Sequence, residues 1–516
     1  MSIITQGYII HTNAVVKAVK ELVWDTLLSG LNNNTKHLFS HILKGHEINL
    51  RENDGWTPIY SKLIERKLKG ADWKELVLRE LIEVSSYSKE EGRSREYRVR
   101  PDLFMQIQNM RPCSSTEIIA AKYYNLCNGK PLNRKKPEKT KYYDSNRNPI
   151  FTEYQKKAVK LIKPCRVNRK AVDLILIQRK LAIDLGLCNK RELLRHFHDL
   201  RCWEGIVRRM VSEEGDFIVY EPAWDSQDSC RITELDGGLQ NASRELKDAM
   251  IKDTGYINLD LKGSQVYGAK AELEKFGIDT SWFDYYQRAG KQKLADDIGI
   301  EVDNWKGLLC SILMGGFPSI NKKGKLIAKN MDELLKYKCV RKYVCPEVGI
   351  DVEWDAENNR YNYLVPDPDN PYGNISRVFE IVKDVIKHCR PLIEGVNQWH
   401  NKLFDTYVAD SGNNKARFIA TNKADGRLNV SEYVSKGTYS YSLNKKGQRK
   451  LAAHILQGKE AAFIHYITAF SGDDFTVVSN QHDGLIIEGT IPMELIHNAR
   501  EFSGLPYAEL EEKSIH

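Results

Sequence analysis

Paired cysteines are missing from this sequence. Its ten cysteines are scattered, none forms a Cys-x-x-Cys pair, and the nearest approach, Cys339 and Cys345, has a spacing that suits no common zinc site. That sets aside a zinc-held domain and leaves reduced thiols, as expected of a cytosolic chain. Long apolar runs are missing too. None reaches the length of a membrane span, and the opening MSIITQGYIIHTNAVVKAVK has no basic start followed by a continuous apolar stretch, so no signal peptide is read there. The expectation is a soluble, cytoplasmic protein without a membrane partner. There is no internal repeat, and charge of one sign is scarce: 77 basic residues against 69 acidic ones leave a net +8. An excess that small permits nucleic acid as a partner only where it is local.

What is present is enough chain for two to four domains, with 516 residues of ordinary globular composition. The first composition shift is GKPLNRKKPEKTKYY at 129–143, where apolar residues vanish and lysines cluster. It reads as a solvated linker or as a phosphate-contacting arm. The domain boundaries expected from it are 1–112 for an N-terminal domain and 113–149 for a basic linker. Within 1–112, Thr57-Pro58 reads as a helix start in cap-then-proline order with Gly70 as the stop. Asp72 reads as the cap of a second helix whose apolar residues Trp73, Leu76, Val77, Leu81 and Val84 fall at helical spacing. Two short strands around Gly92 follow, bearing Lys89, Arg93, Arg95, Arg98 and Arg100. Helix, helix, basic hairpin resembles a winged helix, in which Arg93, Arg95 and Arg98 on the wing would contact phosphates. A protein-binding winged helix or a solvated hairpin fits the same residues. Residues 150–225 read as mainly helical, either gripping a duplex or forming an ordinary bundle.

The chemistry begins at VVSNQHDGLIIEG, 477–489. Asp-Gly between apolar runs is a strong hairpin signal, and turn chemistry accounts for Asp483 taken alone. A metal-binding role requires a second carboxylate. One is offered by GYINLDLKGSQVYGAKAELEKFG, where Tyr256, Ile257 and Leu259 build a strand with Asp260 at its end and a helix starts near Val266. A lone strand-end aspartate also serves as a helix cap. Two carboxylates on rigid elements are what phosphoryl transfer by two divalent ions about 3.5–4 Å apart needs. Between them, in VDNWKGLLCSILMGGFPS, Asp303 reads as an N-cap and Gly315-Gly316 as the stop, while Lys306, Cys310 and Met314 share one face at i, i+4 and i+8. Lys306 is a candidate triphosphate ligand or a surface lysine.

In that order, Asp260, Lys306 and Asp483 resemble the three motifs of the family A nucleic-acid polymerases, the group containing bacterial DNA polymerase I. Lys306 stands eight residues before Met314-Gly315, where that family has an aromatic and glycine, and His482-Asp483-Gly484 stands at its third motif. CRITELDGGLQNASRELKDAMI places Arg231, Gln240, Asn241 and Arg244 as in the segment before the first motif. RKLAAHILQGKEAAFIHYI places Arg449 eight residues before Gln457-Gly458, as in the segment before the third. The matched blocks are discontinuous, between about Arg231 and Glu488. Departures are Val302 where the family has arginine, with Lys291 or Lys293 as substitutes, Met314 for the aromatic, and two extra residues after Asp260 if Ser264-Gln265 is aligned. That alignment puts Tyr267 in the sugar-sensing place; without the gap Gln265 takes it.

The resemblance implies an α+β polymerase right hand preceded by the winged-helix domain. Its thumb would be 150–225, its palm 226–267 and 401–516, and its fingers 268–400. It implies Asp260, Asp483 and the Leu261 carbonyl as ligands of two Mg2+ ions, with Mn2+ as the substitute ion, and Lys306, Met314, Tyr267 and Gln265 around the nucleotide. Arg231, Gln240, Asn241, Arg449, Gln457 and His482 would lie along the primer-template. The expected activity is DNA-directed DNA polymerase, acting as a monomer on a DNA primer-template with nucleoside triphosphates, in a plasmid, phage or other mobile element. Alternatives are a single-subunit RNA polymerase, a reverse transcriptase and a non-catalytic replication initiator.

Overall fold

A computed structural model describes residues 13–85, 95–132, 139–144, 147–355, 360–366, 371–413, 415–437 and 440–513. Helices and small sheets alternate along it. In the N-terminal part, helix α1 (Asn33–Asn53) leads to strand β1 (Thr57–Pro58), helices α2 (Ser61–Lys67) and α3 (Trp73–Leu78), and strands β2 (Ile82–Val84) and β3 (Glu96–Val99). The strands form one antiparallel sheet in the order β1-β3-β2. Asp72 caps α3 as expected, accepting from the Lys74 and Glu75 amides. Thr57-Pro58 does not start a helix. It lies on an edge strand, where proline's missing N–H costs no ladder bond, and α2 begins only after Tyr60. Leu81 and Val84 lie beyond the end of α3, Val84 in β2. Lys89, Gly92 and Arg93 lie outside the described residues.

Folded structure continues past residue 112. Ser115–Ala120 is a helix with a complete capping box, and Tyr123–Asn125 pairs with Ala14–Val16. The expected linker at 113–149 is therefore folded in its first part. The N-terminal core also takes in Leu126 and Phe197 from further along the chain.

Residues 150–225 hold the three helices expected, α4 (Glu153–Leu161), α5 (Arg169–Asp184) and α6 (Lys190–Arg208). They also hold a three-stranded sheet that the helical reading missed, β4 (Cys165–Asn168), β5 (Met210–Glu214) and β6 (Phe217–Tyr220), in the order β4-β6-β5. Short strands next to long amphipathic helices give a weak periodic signal, which explains the miss.

The sheet that positions the site is assembled from distant segments: β7 (Ile257–Leu261), β8 (Phe475–Asn480), β9 (Gly484–Gly489) and β10 (Leu510–Glu512), antiparallel in the order β8-β9-β7-β10. After β7 come helices α7 (Ser264–Lys275), α8 (Ser281–Ile298), α9 (Val302–Leu313) and α10 (Pro371–Tyr407), which share the largest core, including Trp282, Trp305 and Trp399. Helix α11 (Lys445–Ala469) precedes β8, and α12 (Met493–Ser503) separates β9 from β10. Both faces of the sheet are covered. Val477, Leu485 and Ile487 pack with Phe463 and Ile464 of α11 and Ala499 of α12, while Val478 and Ile486 join the opposite cluster with Leu246 and Met250. Each fully buried aliphatic side chain contributes on the order of 1.5–3 kcal/mol, so the strands beneath the candidate carboxylates are anchored from both sides.

Candidate active site

Register brings the two aspartates together. Across the β7–β9 ladder Asp260 faces Gly484 and Leu259 faces Leu485, and the Leu261 N–H donates to the Asp483 carbonyl at 2.7 Å. The β8–β9 turn comprises Gln481, His482 and Asp483, and the left-handed residue in it is His482 (φ 70°). Gly484 therefore does not serve the turn, as the Asp-Gly pattern suggested. It opens β9, where an added Cβ would lie 2.3 Å from the Leu259 carbonyl oxygen. The glycine lets β9 press against β7 at the carboxylates.

Asp260 is largely buried and bonded to Lys513, just beyond β10, through Nζ to Oδ2 at 2.8 Å. β10 holds that lysine there because Glu511 faces Asp260 in the ladder and the Lys513 N–H donates to the Asn258 carbonyl at 2.8 Å. Burial pushes the Asp260 carboxyl up, Lys513 pulls it down, and repulsion from Asp483 raises it again. Lys291 also acts on it. That lysine follows Gly290, which breaks the helical path of α8 (φ 79°, ψ 165°). Lys293, the other substitute for the missing arginine, pairs with Asp297 of its own helix at 2.9 Å.

Two carboxylates that repel each other, one already holding an ammonium, are hard oxygen donors in a place that demands positive charge. Their chemistry fits a magnesium-type ion with substrate oxygens and water completing its shell. Among the described residues no group of three or more His, Cys, Asp or Glu side chains is arranged to hold a metal.

Several residues expected along a primer-template are engaged within the protein. Arg231 is hydrogen-bonded to Glu460, which is fully buried on α11 and also accepts from the Ser264 hydroxyl. Burial raises the Glu460 carboxyl, and Arg231 opposes that rise. Glu460 joins three segments, yet nothing in the pattern of its helix marks it out. Gln240 is buried and donates to the Ile232 carbonyl at 3.0 Å and to that of Asn480 at 2.8 Å, which pins the base of the β8–β9 hairpin. Asn241 donates to the Glu234 carbonyl at 2.9 Å. Lys247 bonds Gln481 in the turn, and burial lowers the His482 imidazole to about 4, so it is neutral at pH 7. Arg449 is exposed and donates to the Gly315 carbonyl at 2.9 Å, while Gln457 is half-buried.

Helix α9 is capped at Glu301 without a side-chain bond, not at Asp303. Asp303 lies in the first turn and binds Lys306 at 2.7 Å, leaving that lysine half exposed (50%). Cys310 is exposed and Met314 half-buried, so the predicted face is accessible, and Gly315 ends the helix with φ 68°. After Asp260 the chain takes a two-residue turn, Lys262-Gly263, before α7 begins at Ser264. Gln265 and Tyr267 are half-buried in its first turn, and Tyr267 lies 6.2 Å from the Tyr507 ring. In the N-terminal sheet Arg98 is engaged by Asp54 at 2.6 Å and Glu83 at 2.7 Å, and Arg95 stacks 4.5 Å over Trp73. All ten cysteines are free, and among the described residues no helix is long and apolar enough to cross a membrane.

No protein-family model matches this chain, and no curated protein does. Among solved structures it is similar to the POL domain of Pol1 from M. smegmatis in complex with DNA primer-template and dNTP, with 13% sequence identity and a TM-score of 0.35 over 74% of this chain. The match spans 61% of that chain. At this level of similarity the functional reading rests on the residues themselves.

Proposed function

We propose that this chain is a template-directed DNA polymerase, a nucleotidyltransferase in which Asp260 and Asp483 serve the chemical step. One observation carries the reading: two aspartates more than 200 residues apart, Asp260 on β7 and Asp483 in the turn that opens β9, come together at one end of a sheet buried on both faces, inside a shell of lysines. Polyphosphate chemistry needs that combination of anchored carboxylates and surrounding cations.

In this reading Asp260, Asp483 and the Leu261 carbonyl would hold two Mg2+ ions, or Mn2+ in their place. When bound, the ions supply Lewis acidity to the primer 3′-hydroxyl and to the departing pyrophosphate. Lys291 and Lys306 contribute positive charge toward the triphosphate, Lys291 from beside Asp260 and Lys306 from the exposed face of α9 that also carries Met314. The Lys262-Gly263 turn accounts for two extra residues and supports the alignment that gives Tyr267, rather than Gln265, the sugar-sensing role. Arg449 and Gln457 serve the primer-template directly. Arg231, Gln240 and Asn241 act one step removed, by holding Glu460, the hairpin base and the segment before β7. His482, neutral, is a neighbour of that strand and not a cationic phosphate ligand.

The N-terminal element order, helix–strand–helix–helix–strand–strand with strands ordered β1-β3-β2, supports a winged-helix DNA-binding domain. Phosphate contact there falls to Arg95 and Arg93, because Arg98 would have to leave two carboxylates. Such a domain suits origin recognition in a plasmid, phage or other mobile element.

The test is primer extension on DNA and RNA templates with deoxy- and ribonucleotides supplied separately. Deoxynucleotide incorporation on DNA is the expected result. Preferred ribonucleotide incorporation replaces the reading with an RNA polymerase, extension confined to RNA templates with a reverse transcriptase, and no extension at all with a non-catalytic initiator.

A further inference from the structure

Some basic residues on this surface are matched, as Lys293 is by Asp297, Arg417 by Asp410 and Arg377 by Glu380. A groove of about 720 Å3 between the 324–329 loop and α10 is not. It is lined by Lys325, Lys329, Lys383, Lys387 and Arg390 and by no acidic residue. Among the described residues none of the four lysine ammonium groups has a carboxylate within 4.0 Å, though the Lys329 backbone N–H donates to Glu333 at 2.7 Å, and of the five cations only Arg390 is paired, with Glu394 at 2.8 Å. Such crowding of like charge is unfavourable in the free protein and is relieved by a polyanion.

The groove is built rather than incidental. On one wall Lys383, Lys387 and Arg390 stand at i, i+4 and i+7 of α10, one face over a rise of about 10 Å. The other wall is a closed loop. Ile320 bridges Leu326, and the Asn321 side-chain carbonyl accepts from the Lys323 and Lys325 amides at 2.8 and 3.0 Å. Gly324, at φ 74°, meets the Arg390 guanidinium so closely that a Cβ would lie 2.6 Å from its Cζ. The floor is apolar, with Phe379 and Leu326 half-buried.

We propose that this groove binds a single strand of nucleic acid. Cations on two facing walls take successive phosphates, and the Phe379 ring with its apolar neighbours offers a platform for an unstacked base. A duplex keeps its base faces stacked and cannot use that floor. An acidic protein segment would satisfy the charge but not the aromatic. The groove shares no residue with the Asp260–Asp483 site, and the proposal does not depend on the polymerase reading.

The experiment is fluorescence anisotropy of the full chain with labelled oligothymidylate, a duplex of equal length and a polyglutamate peptide, across a salt series. No extension is measured, so the outcome is separate from that of the polymerase assay. The double variant Lys383→Glu/Lys387→Glu is expected to bind the single strand at least about tenfold more weakly, with the slope of log affinity against log salt reduced by about 0.7 per lysine. Duplex binding and thermal unfolding should hardly change, and Lys17→Glu, an exposed control, should bind like the parent. Phe379→Ala should weaken single-strand binding at unchanged slope. Equal losses on duplex, or unaltered single-strand binding by a folded double variant, overturn the proposal. So does polyglutamate binding that alone responds to the double variant, which assigns the groove to an acidic protein.

Discussion

The sheet and helix α9 hold their charged candidates in opposite ways. Asp260 is set by ladder register, its backbone fixed on both sides by β9 and β10, and Asp483, in the turn that opens β9, is tied to the same ladder by the Leu261 N–H, over a sheet packed on both faces. Lys306 is set by its own helix alone, half exposed and tied to a carboxylate three residues away. A group held by register is placed in space whatever its distance in sequence. A group held by a helical turn is placed only relative to its neighbours and is free to swing. Exposed i, i+3 pairs of this kind contribute about 0.2–0.5 kcal/mol, so Asp303 restrains Lys306 weakly.

If that contrast governs function, Asp260→Ala and Asp483→Ala should each reduce extension by at least about 10^3 under Mg2+, while primer-template affinity, measured by anisotropy, stays close to the parent because phosphate contacts supply it. Substantial residual extension in either variant would remove the carboxylate pair from the mechanism. Gly484→Ala tests the register itself. Its methyl group meets the Leu259 carbonyl, so it should lower stability by about 1–3 kcal/mol in chemical denaturation and impair extension with both aspartates intact. A fully active, fully stable variant would mean the strands need not touch at the site.

Tyr267→Ala should keep deoxynucleotide extension and admit ribonucleotides about tenfold more readily, since steric overlap of this kind is worth on the order of 1–3 kcal/mol. Relaxed selection in Gln265→Ala instead would favour the ungapped alignment. The smallest effects belong to the helices. Lys291→Ala, which removes a charge felt by Asp260, should raise the apparent nucleotide KM several-fold, Lys306→Ala less, and Lys293→Ala not measurably. A larger effect at Lys306 than at Lys291 would reverse the comparison.

How much of this was legible in the sequence follows the same division. The strand that carries Asp260 and the hairpin whose turn holds Asp483 were readable because both are local patterns, and the ladder pairs those two segments. The α9 helix and its Gly315 stop were readable for the same reason. Glu460, Lys513 and the Gly290 break that precedes Lys291 were not, since each acquires its role from a partner far along the chain. Gln240 and Arg231 were legible as residues but not in role. The sequence offers no sign that the Asn480 carbonyl and the Glu460 carboxylate would take up their hydrogen bonds. Thr57-Pro58 shows the converse failure, a correct local signal for rigid backbone read as a helix start when the residues lie on an edge strand.

The dispersal of the sheet has a kinetic consequence. Strand β7 pairs on one side with β9 and on the other with β10, both of them separated from it by helices α7 to α11. Contacts of such long sequence separation are closed late, because loop entropy is lost before the pairing rewards it. The helices between these strands, rich in local contacts, can fold first, and the carboxylate site then forms in one of the last steps of folding. A refolding chain should therefore regain helical circular dichroism before it regains any ability to extend a primer, with the interval set by closure of β7 onto its two partners.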